Sequence, residues 1–94
     1  MEELRRYRIW GRVQGVGFRA FVWQQARELA VTGWVRNRVD GSVEALVAAS
    51  PEIHARMFAA LQRGPRLSQV DRVDVEELDE ATELAASFEI RHDA

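Results

Sequence analysis

The apolar residues of this chain recur with two different periods, and the order of these periods constrains the fold more than any other feature. A period of two is typical of half-buried strands, and a period of about 3.6 is typical of amphipathic helices. Along the 94 residues the periods follow the order β-α-β-β-α-β, with a further short strand at the end. Two helices on one face of a sheet would bury both helical stripes. We therefore expect a single α+β domain over residues 1–94.

Turn residues and helix caps predict where each element begins and ends. We expect a strand around 7–13, a loop at 14–17 and a helix at 18–29 that is ended by Thr32-Gly33. Strands at 34–39 and 42–48 follow, joined by a type I′ turn at Asp40-Gly41. The rest of the chain is predicted to form a helix from Pro51 to Gly64-Pro65, a strand around 73–75, a linker at 79–86 and a strand at 88–90. This order predicts a ferredoxin-like sandwich, an antiparallel sheet with two helices on one face and a short extra terminal strand.

Three glycines lie in the stretch Gly11–Arg19, one near the end of the first strand and two in the loop before the first helix. Glycine lets the backbone turn sharply, and several N–H groups beside a helix N-terminus form a site for an anion. Arg19, in the first turn of the helix, adds a planar cation that fits phosphate. The stretch therefore predicts a phosphate-binding loop, although without the glycines Arg19 would be interpreted as a surface residue.

Asn37 is the single asparagine of the chain, and by strand parity it shares the inner face with Val35 and Val39. A buried amide needs hydrogen-bond partners, and leaving it unpaired costs about 1–3 kcal/mol. Two interpretations stay open for Asn37. It is either a structural residue bonded to neighbouring backbone or a functional group close to the glycine loop.

The composition excludes several classes of chemistry. The chain has no cysteine and no lysine, which rules out thiolate nucleophiles, Walker-type lysines and Schiff-base lysines. The net charge of −2 does not favour nucleic-acid binding, but residues 1–47 carry +3 and include the glycine loop, whereas residues 48–94 carry −5. No apolar run approaches the length of a membrane span, and the N-terminus lacks a secretory signal. We expect a cytoplasmic protein without a membrane partner.

Other polar residues receive simpler interpretations. We expect His54 on the second helix and His92 in the tail at the surface, since two scattered histidines do not make a metal site. Asp40 is explained by the turn, and Glu44 by the outer face of its strand. The run 15–22 faintly resembles an RNA-recognition motif, but that motif places aromatic residues on the third strand, which has none here. We expect no nucleic-acid partner.

Two segments, GRVQGVGFR at 11–19 and GWVRNRVDGSVE at 33–44, are similar to the two signatures of the acylphosphatases. One predicted helix separates them, as in that family, and the similarity extends over nearly the whole chain, including Gly64-Pro65 and Phe88–Arg91. The resemblance implies hydrolysis of acyl phosphates to a carboxylate and inorganic phosphate without a metal or cofactor. It implies that Arg19 holds the phosphate and that Asn37 orients the attacking water. It also implies substrate binding by the loop residues Gln14, Gly15, Val16, Gly17, Phe18 and Arg19.

Hydrolysis of a mixed anhydride suits these residues, because the carboxylate leaves readily and the site has mainly to hold the phosphoryl group and aim a water. A non-enzymatic anion-binding module remains a second class, and a carbamoyl-phosphate-handling module, of the kind found in hydrogenase-maturation proteins, is related to it. We expect a free-standing hydrolase, since binding alone has no use for Asn37. We also expect a monomer whose partner is a small acyl phosphate.

Overall fold

A computed structural model describes residues 2–79 and 87–93 of the chain. The predicted linker at 79–86 therefore lies, apart from its first residue, outside the described residues. The elements are β1 (Glu3–Arg12), α1 (Phe18–Leu29), β2 (Thr32–Asn37), β3 (Val43–Ala49), α2 (Pro51–Arg63), β4 (Gln69–Leu78) and β5 (Phe88–Ile90).

The strands form one sheet in the order β4-β1-β3-β2-β5. The first four strands pair antiparallel, as expected, and the short extra strand β5 pairs parallel with β2, so the sheet is mixed. Strand β5 occupies the edge of the sheet opposite β4 and runs antiparallel to β4, in the same direction as β2.

Both helices pack on the same face of this sheet, and their apolar stripes meet the inner side chains of the strands. Phe18, Val22 and Ala26 of α1 are buried there, together with Met57 and Leu61 of α2. The ferredoxin-like α+β fold is thus confirmed. Inner strand residues that complete this core are Tyr7, Ile9, Val35, Val43, Ala45 and Val47.

The structure confirms the helix predicted at 18–29, but the residues that end it and the bounds of the next strand, predicted at 34–39, are different. Helix α1 ends at Leu29, where Ala30 adopts a left-handed conformation with φ 57° and its N–H bonds to the last helical carbonyls. Thr32 therefore begins β2 rather than ending the helix. Strand β2 in turn ends at Asn37, so Val39 is not on the inner face but lies at the tip of the turn, 91% exposed.

The turn between β2 and β3 also differs from the predicted type I′ turn. Gly41 donates its N–H to the Arg38 carbonyl over 3.1 Å and has φ 91°, whereas Asp40 does not have the positive φ that a type I′ turn requires. The connection is a three-residue loop whose last residue is a left-handed glycine. As expected, Asp40 belongs to the turn, because its carboxylate accepts from the Ser42 N–H and hydroxyl.

The outer face of the sheet carries arginines and carboxylates in alternation. Glu44 lies on this face, as predicted, but is buried beneath Arg6, Arg36 and Arg38 at 3.1, 2.8 and 3.1 Å. Burial by itself would raise the pKa of Glu44, but hydrogen bonds and charge from Arg36 and Arg38 outweigh it and hold the pKa below its usual value. The ionised Glu44 thus pairs on the outer face with one arginine of β1, one of β2 and one that follows β2.

His54 is not at the surface, contrary to the sequence prediction, but fully buried on the inner side of α2. Its position three residues before Met57 was the signal, because that spacing places both on one helical face. The Nε2 atom lies 2.7 Å from the Glu3 carbonyl, which only accepts, so Nε2 carries the proton. Nδ1 then accepts from the Tyr7 hydroxyl at 2.6 Å. The neutral imidazole is thereby fully satisfied.

We expect the free energy of unfolding to fall as the pH drops below 6.5, the ordinary pKa of histidine. Burial lowers the pKa of His54 in the folded protein. Just below pH 6.5 the unfolded chain therefore binds a proton at His54 that the folded chain does not bind. One such proton changes stability by at most about 1.4 kcal/mol per pH unit. Urea unfolding of His54→Gln between pH 7 and 5 should give a flatter pH dependence than the parent, with His92→Gln, an exposed tail position, as the control. Equal slopes in all three proteins would contradict this role.

Candidate functional site

Sheet topology brings the glycine loop and Asn37 to the same edge of the molecule. Strands β1 and β2 are both antiparallel to β3, so they run parallel to each other and their C-terminal ends lie at one edge. The loop 13–17 follows β1, and Asn37 is the last residue of β2. Because β5 is parallel to β2, residues 91–93 leave the sheet at this edge as well.

The loop has the backbone shape of an anion cradle. Gly15 and Gly17 both adopt left-handed conformations, with φ 75° and 79°, and apart from the adjoining residues of the chain no described residue comes within 4 Å of the space that a Cβ would occupy there. Gly17 is the N-cap of α1, and none of the described side chains caps the helix. The first N–H groups of a helix have no carbonyl partner within it, so those of Phe18 and Arg19 are available at the positive end of the helix dipole.

One cavity of about 310 Å³ lies between this loop and the end of β2. Arg19 and Asn37, distant in sequence, both line it. Its walls are formed by Val13, Gly15, Gly17, Phe18, Arg19, Ala20, Asn37 and Ile90.

Arg19 is held at the mouth of the cavity by an ion pair. Its Nη1 atom donates to Oδ1 of Asp93 over 3.0 Å, and the two side chains are 36% and 63% exposed. An ion pair in this degree of contact with water contributes little free energy and is exchangeable. A stronger, bidentate anion could therefore replace the carboxylate on the guanidinium.

The Asn37 side chain makes none of the hydrogen bonds to neighbouring backbone that a purely structural role would need. Its carboxamide makes no hydrogen bond to any residue within 2–79 and 87–93, and its side chain is only half-buried, on the wall of the cavity. Of the two interpretations left open by the sequence, this geometry favours the functional one, since a free carboxamide can both donate and accept.

The side chains of two loop residues, Gln14 and Val16, are not among the groups that line the cavity. The Gln14 carboxamide turns away from it and donates both hydrogens to main-chain carbonyls, over 2.7 Å to Arg38 and 2.8 Å to Ser42. Val16 packs against the hydrophobic core. Of the loop residues 13–17, those that line the cavity are Val13, Gly15 and Gly17.

Sequence reasoning missed Ile90 on the cavity wall and Asp93 on the guanidinium. The alternation of Phe88 and Ile90 predicted the strand, but no local signal showed that it would pair beside β2 and deliver the tail to Arg19. Within the described ranges no three carboxylate or imidazole side chains come together as they would around a metal ion. None of the described helices is long and apolar enough to cross a membrane.

The fold and the cavity define a class of small ferredoxin-like proteins with a glycine loop, an arginine and a carboxamide around one site. The family model for acylphosphatase matches residues 5–90, so the chain belongs to the acylphosphatase family. It is 49% identical over 88 residues to the acylphosphatase of Koribacter versatilis (strain Ellin345), an alignment that covers 94% of this chain and 79% of that protein. These matches confirm the resemblance read from the two signatures and the prediction of an enzyme.

Solved structures agree with this assignment. The acylphosphatase from Bacillus subtilis superposes with a TM-score of 0.89 at 35% identity, covering 97% of this chain and 99% of that one. Full-length HypF, solved in a phosphate- and nucleotide-bound form, superposes with a TM-score of 0.88 at 28% identity over 99% of this chain, but only 12% of HypF is covered. The same domain thus occurs as a small part of a much larger protein.

Proposed function

We propose that this protein hydrolyses the carboxyl–phosphate bond of small acyl phosphates, with the glycine loop and Arg19 holding the phosphate and Asn37 orienting the attacking water. The observation that carries the proposal is the single cavity lined by Gly15, Gly17, Arg19 and Asn37, in a chain of the acylphosphatase family.

The phosphoryl group would lie against the N–H groups at the start of α1, with its remaining oxygens on the Arg19 guanidinium. Main-chain donors fixed by the glycine conformations need no reorganisation as charge develops on the phosphoryl oxygens, which is the main source of electrostatic catalysis. Arg19 exchanges the Asp93 carboxylate for the dianionic phosphate and binds it through two N–H donors. Substrate binding thus uses charge that the folded protein already holds in place.

The carboxamide oxygen of Asn37 would accept a hydrogen bond from a water and direct it at phosphorus, in line with the departing carboxylate. The new P–O bond to water forms as the P–O bond to the acyl group breaks, and the carboxylate leaves with the bonding pair. No carboxylate or imidazole is among the residues that line the cavity. The phosphoryl oxygens are therefore the acceptor that the described site offers for the proton of the water.

Phosphate release from acetyl phosphate, carbamoyl phosphate and benzoyl phosphate, with a simple phosphate monoester as control, tests the proposal. Hydrolysis confined to the anhydrides is expected, since the site offers no general acid for a poor leaving group. A protein that binds inorganic phosphate but hydrolyses none of these compounds would instead be an anion-binding module.

Arg19→Lys should lower kcat/KM on benzoyl phosphate by roughly 10²-fold, because a lysine point charge does not reproduce the bidentate guanidinium. Steady-state kinetics, with thermal unfolding to check the fold, measures this. Arg27→Lys, the same change at an exposed position of the same helix, is the matched control and should leave kcat/KM unchanged. Full activity in the Arg19 variant would remove its clamping role.

Asn37→Ala should lower kcat by at least about 10²-fold while the protein stays folded, by analogy with the loss of one preorganised polar group. The inhibition constant for inorganic phosphate should change little, since the loop and Arg19 remain. Gln62→Ala, on the exposed side of α2, is the control. Unchanged turnover in a folded Asn37 variant would exclude this residue from the mechanism.

Asp93→Asn should tighten inhibition by inorganic phosphate roughly two- to fivefold, because the anion no longer competes with a carboxylate for Arg19 and an exposed ion pair of this kind is weak. Competitive inhibition assays at low ionic strength measure the effect. Asp71→Asn, an exposed position on β4, should not change the inhibition constant. Weaker inhibition in the Asp93 variant would show that the carboxylate assists binding rather than competing with it.

A further inference from the structure

Gln14 is the residue by which the glycine loop is tied to the hairpin that carries Asn37. Its carboxamide nitrogen donates to the carbonyl of Arg38 over 2.7 Å and to the carbonyl of Ser42 over 2.8 Å. Arg38 directly follows Asn37 in the chain. Ser42 lies opposite Arg38 on the other side of the turn, and the Arg38 N–H donates to the Ser42 carbonyl over 2.9 Å. One side chain thus bridges both arms of the hairpin where they enter the turn.

These two bonds are the only hydrogen bonds between loop residues 13–17 and hairpin residues 37–43 in the part of the chain that the structure describes. The β1–β3 ladder ends at the pair Ile9 and Val43, and the last residues of β1 pair with β4 instead. Without Gln14 the two walls of the cavity would be joined at this end by side-chain packing alone. Packing restricts the distance between backbones less sharply than directional hydrogen bonds do.

We propose that Gln14 is a positioning residue for hydrolysis, which sets the placement of Asn37 relative to the phosphate loop. The inference rests on the proposed function, since it concerns the aim of the water that Asn37 orients. Gln14 is not itself a ligand of the substrate, because both of its N–H donors are committed to carbonyls and its side chain is absent from the cavity wall. Its effect should therefore appear in turnover rather than in phosphate affinity.

The expected size of the effect follows from the sensitivity of in-line attack to geometry, in which a misplacement of about 1 Å costs on the order of 10²-fold in rate. Gln14→Met keeps the length of the side chain and removes both donors. In this variant the Ser42 carbonyl still accepts from the Arg38 N–H, and the Arg38 carbonyl still accepts from the Gly41 N–H. The turn of the hairpin therefore keeps its own hydrogen bonds.

Steady-state kinetics on benzoyl phosphate should show kcat of Gln14→Met reduced about 10- to 100-fold. KM and the inhibition constant of inorganic phosphate should stay within about threefold of the parent, a pattern that marks an interaction used in the transition state. Gln62→Met, the same change on the exposed side of α2, should leave all three unchanged. An unchanged kcat, or a loss confined to phosphate affinity, would overturn the proposal.

A double-mutant cycle with Asn37→Ala separates positioning from general destabilisation. If Gln14 acts through Asn37, Gln14→Met should reduce kcat little further in the Asn37→Ala background, whereas independent effects multiply. Multiplying effects would refute the proposal. Asn37→Ala with parental turnover would instead refute the role of Asn37 in the proposed function, so the two failures are distinguishable.

Gln14→Glu keeps the test decisive if the methionine variant does not fold. An ionised glutamate presents only acceptors to the two carbonyls, whereas a protonated one donates a hydrogen. The ratio of the kcat of this variant to the parental kcat should therefore rise as the pH falls from 7 to 5. A ratio that stays flat over this range would contradict the role of the donors.

Discussion

The site depends on the antiparallel pairing of two strands, β1 and β2, with the same central strand, β3. This shared partner makes β1 and β2 parallel to each other, so the loop that follows one and the last residue of the other are brought to a single edge. Packing alone would leave the gap between them loosely defined. The Gln14 carboxamide closes that gap with two short hydrogen bonds, at the place where the β1–β3 ladder has already ended. Topology thus places the loop and the end of β2 side by side, and the Gln14 side chain fixes the distance between the loop and the hairpin.

Arginines on the outer face of the sheet and Arg19 at its edge have different carboxylate partners. On the outer face, Arg36 and Arg38 are bound to a buried carboxylate, Glu44, whose ionised form they stabilise. At the edge, the one carboxylate among residues 2–79 and 87–93 that pairs with Arg19 is Asp93, which is mostly exposed to water. A partner held so weakly gives way to a more highly charged anion. The same residue type is therefore a fixed structural cation in one place and, in the function we propose, an exchangeable binding group in the other.

Much of the fold could be read from the sequence, because the change between the two apolar periods is a local property that each segment carries independently. The errors arose where a local pattern was compatible with two environments. His54 was placed at the surface by its polarity, although its helical spacing relative to Met57 put it on the buried face, where Tyr7 and the Glu3 carbonyl satisfy it. Gln14 was grouped with the loop by adjacency, and only the position of the hairpin showed that its side chain points elsewhere.

By itself, the sequence determined the order of elements, the position of the glycine loop and the membership of a family, since short segments carry each of these independently of the rest of the chain. Only the tertiary structure decided which distant groups face one another. It placed Arg19 and Asn37 on one cavity, brought Asp93 to the guanidinium and made β5 parallel to β2. Such contacts depend on strand pairing and chain direction over the whole sheet, and no local periodicity encodes them.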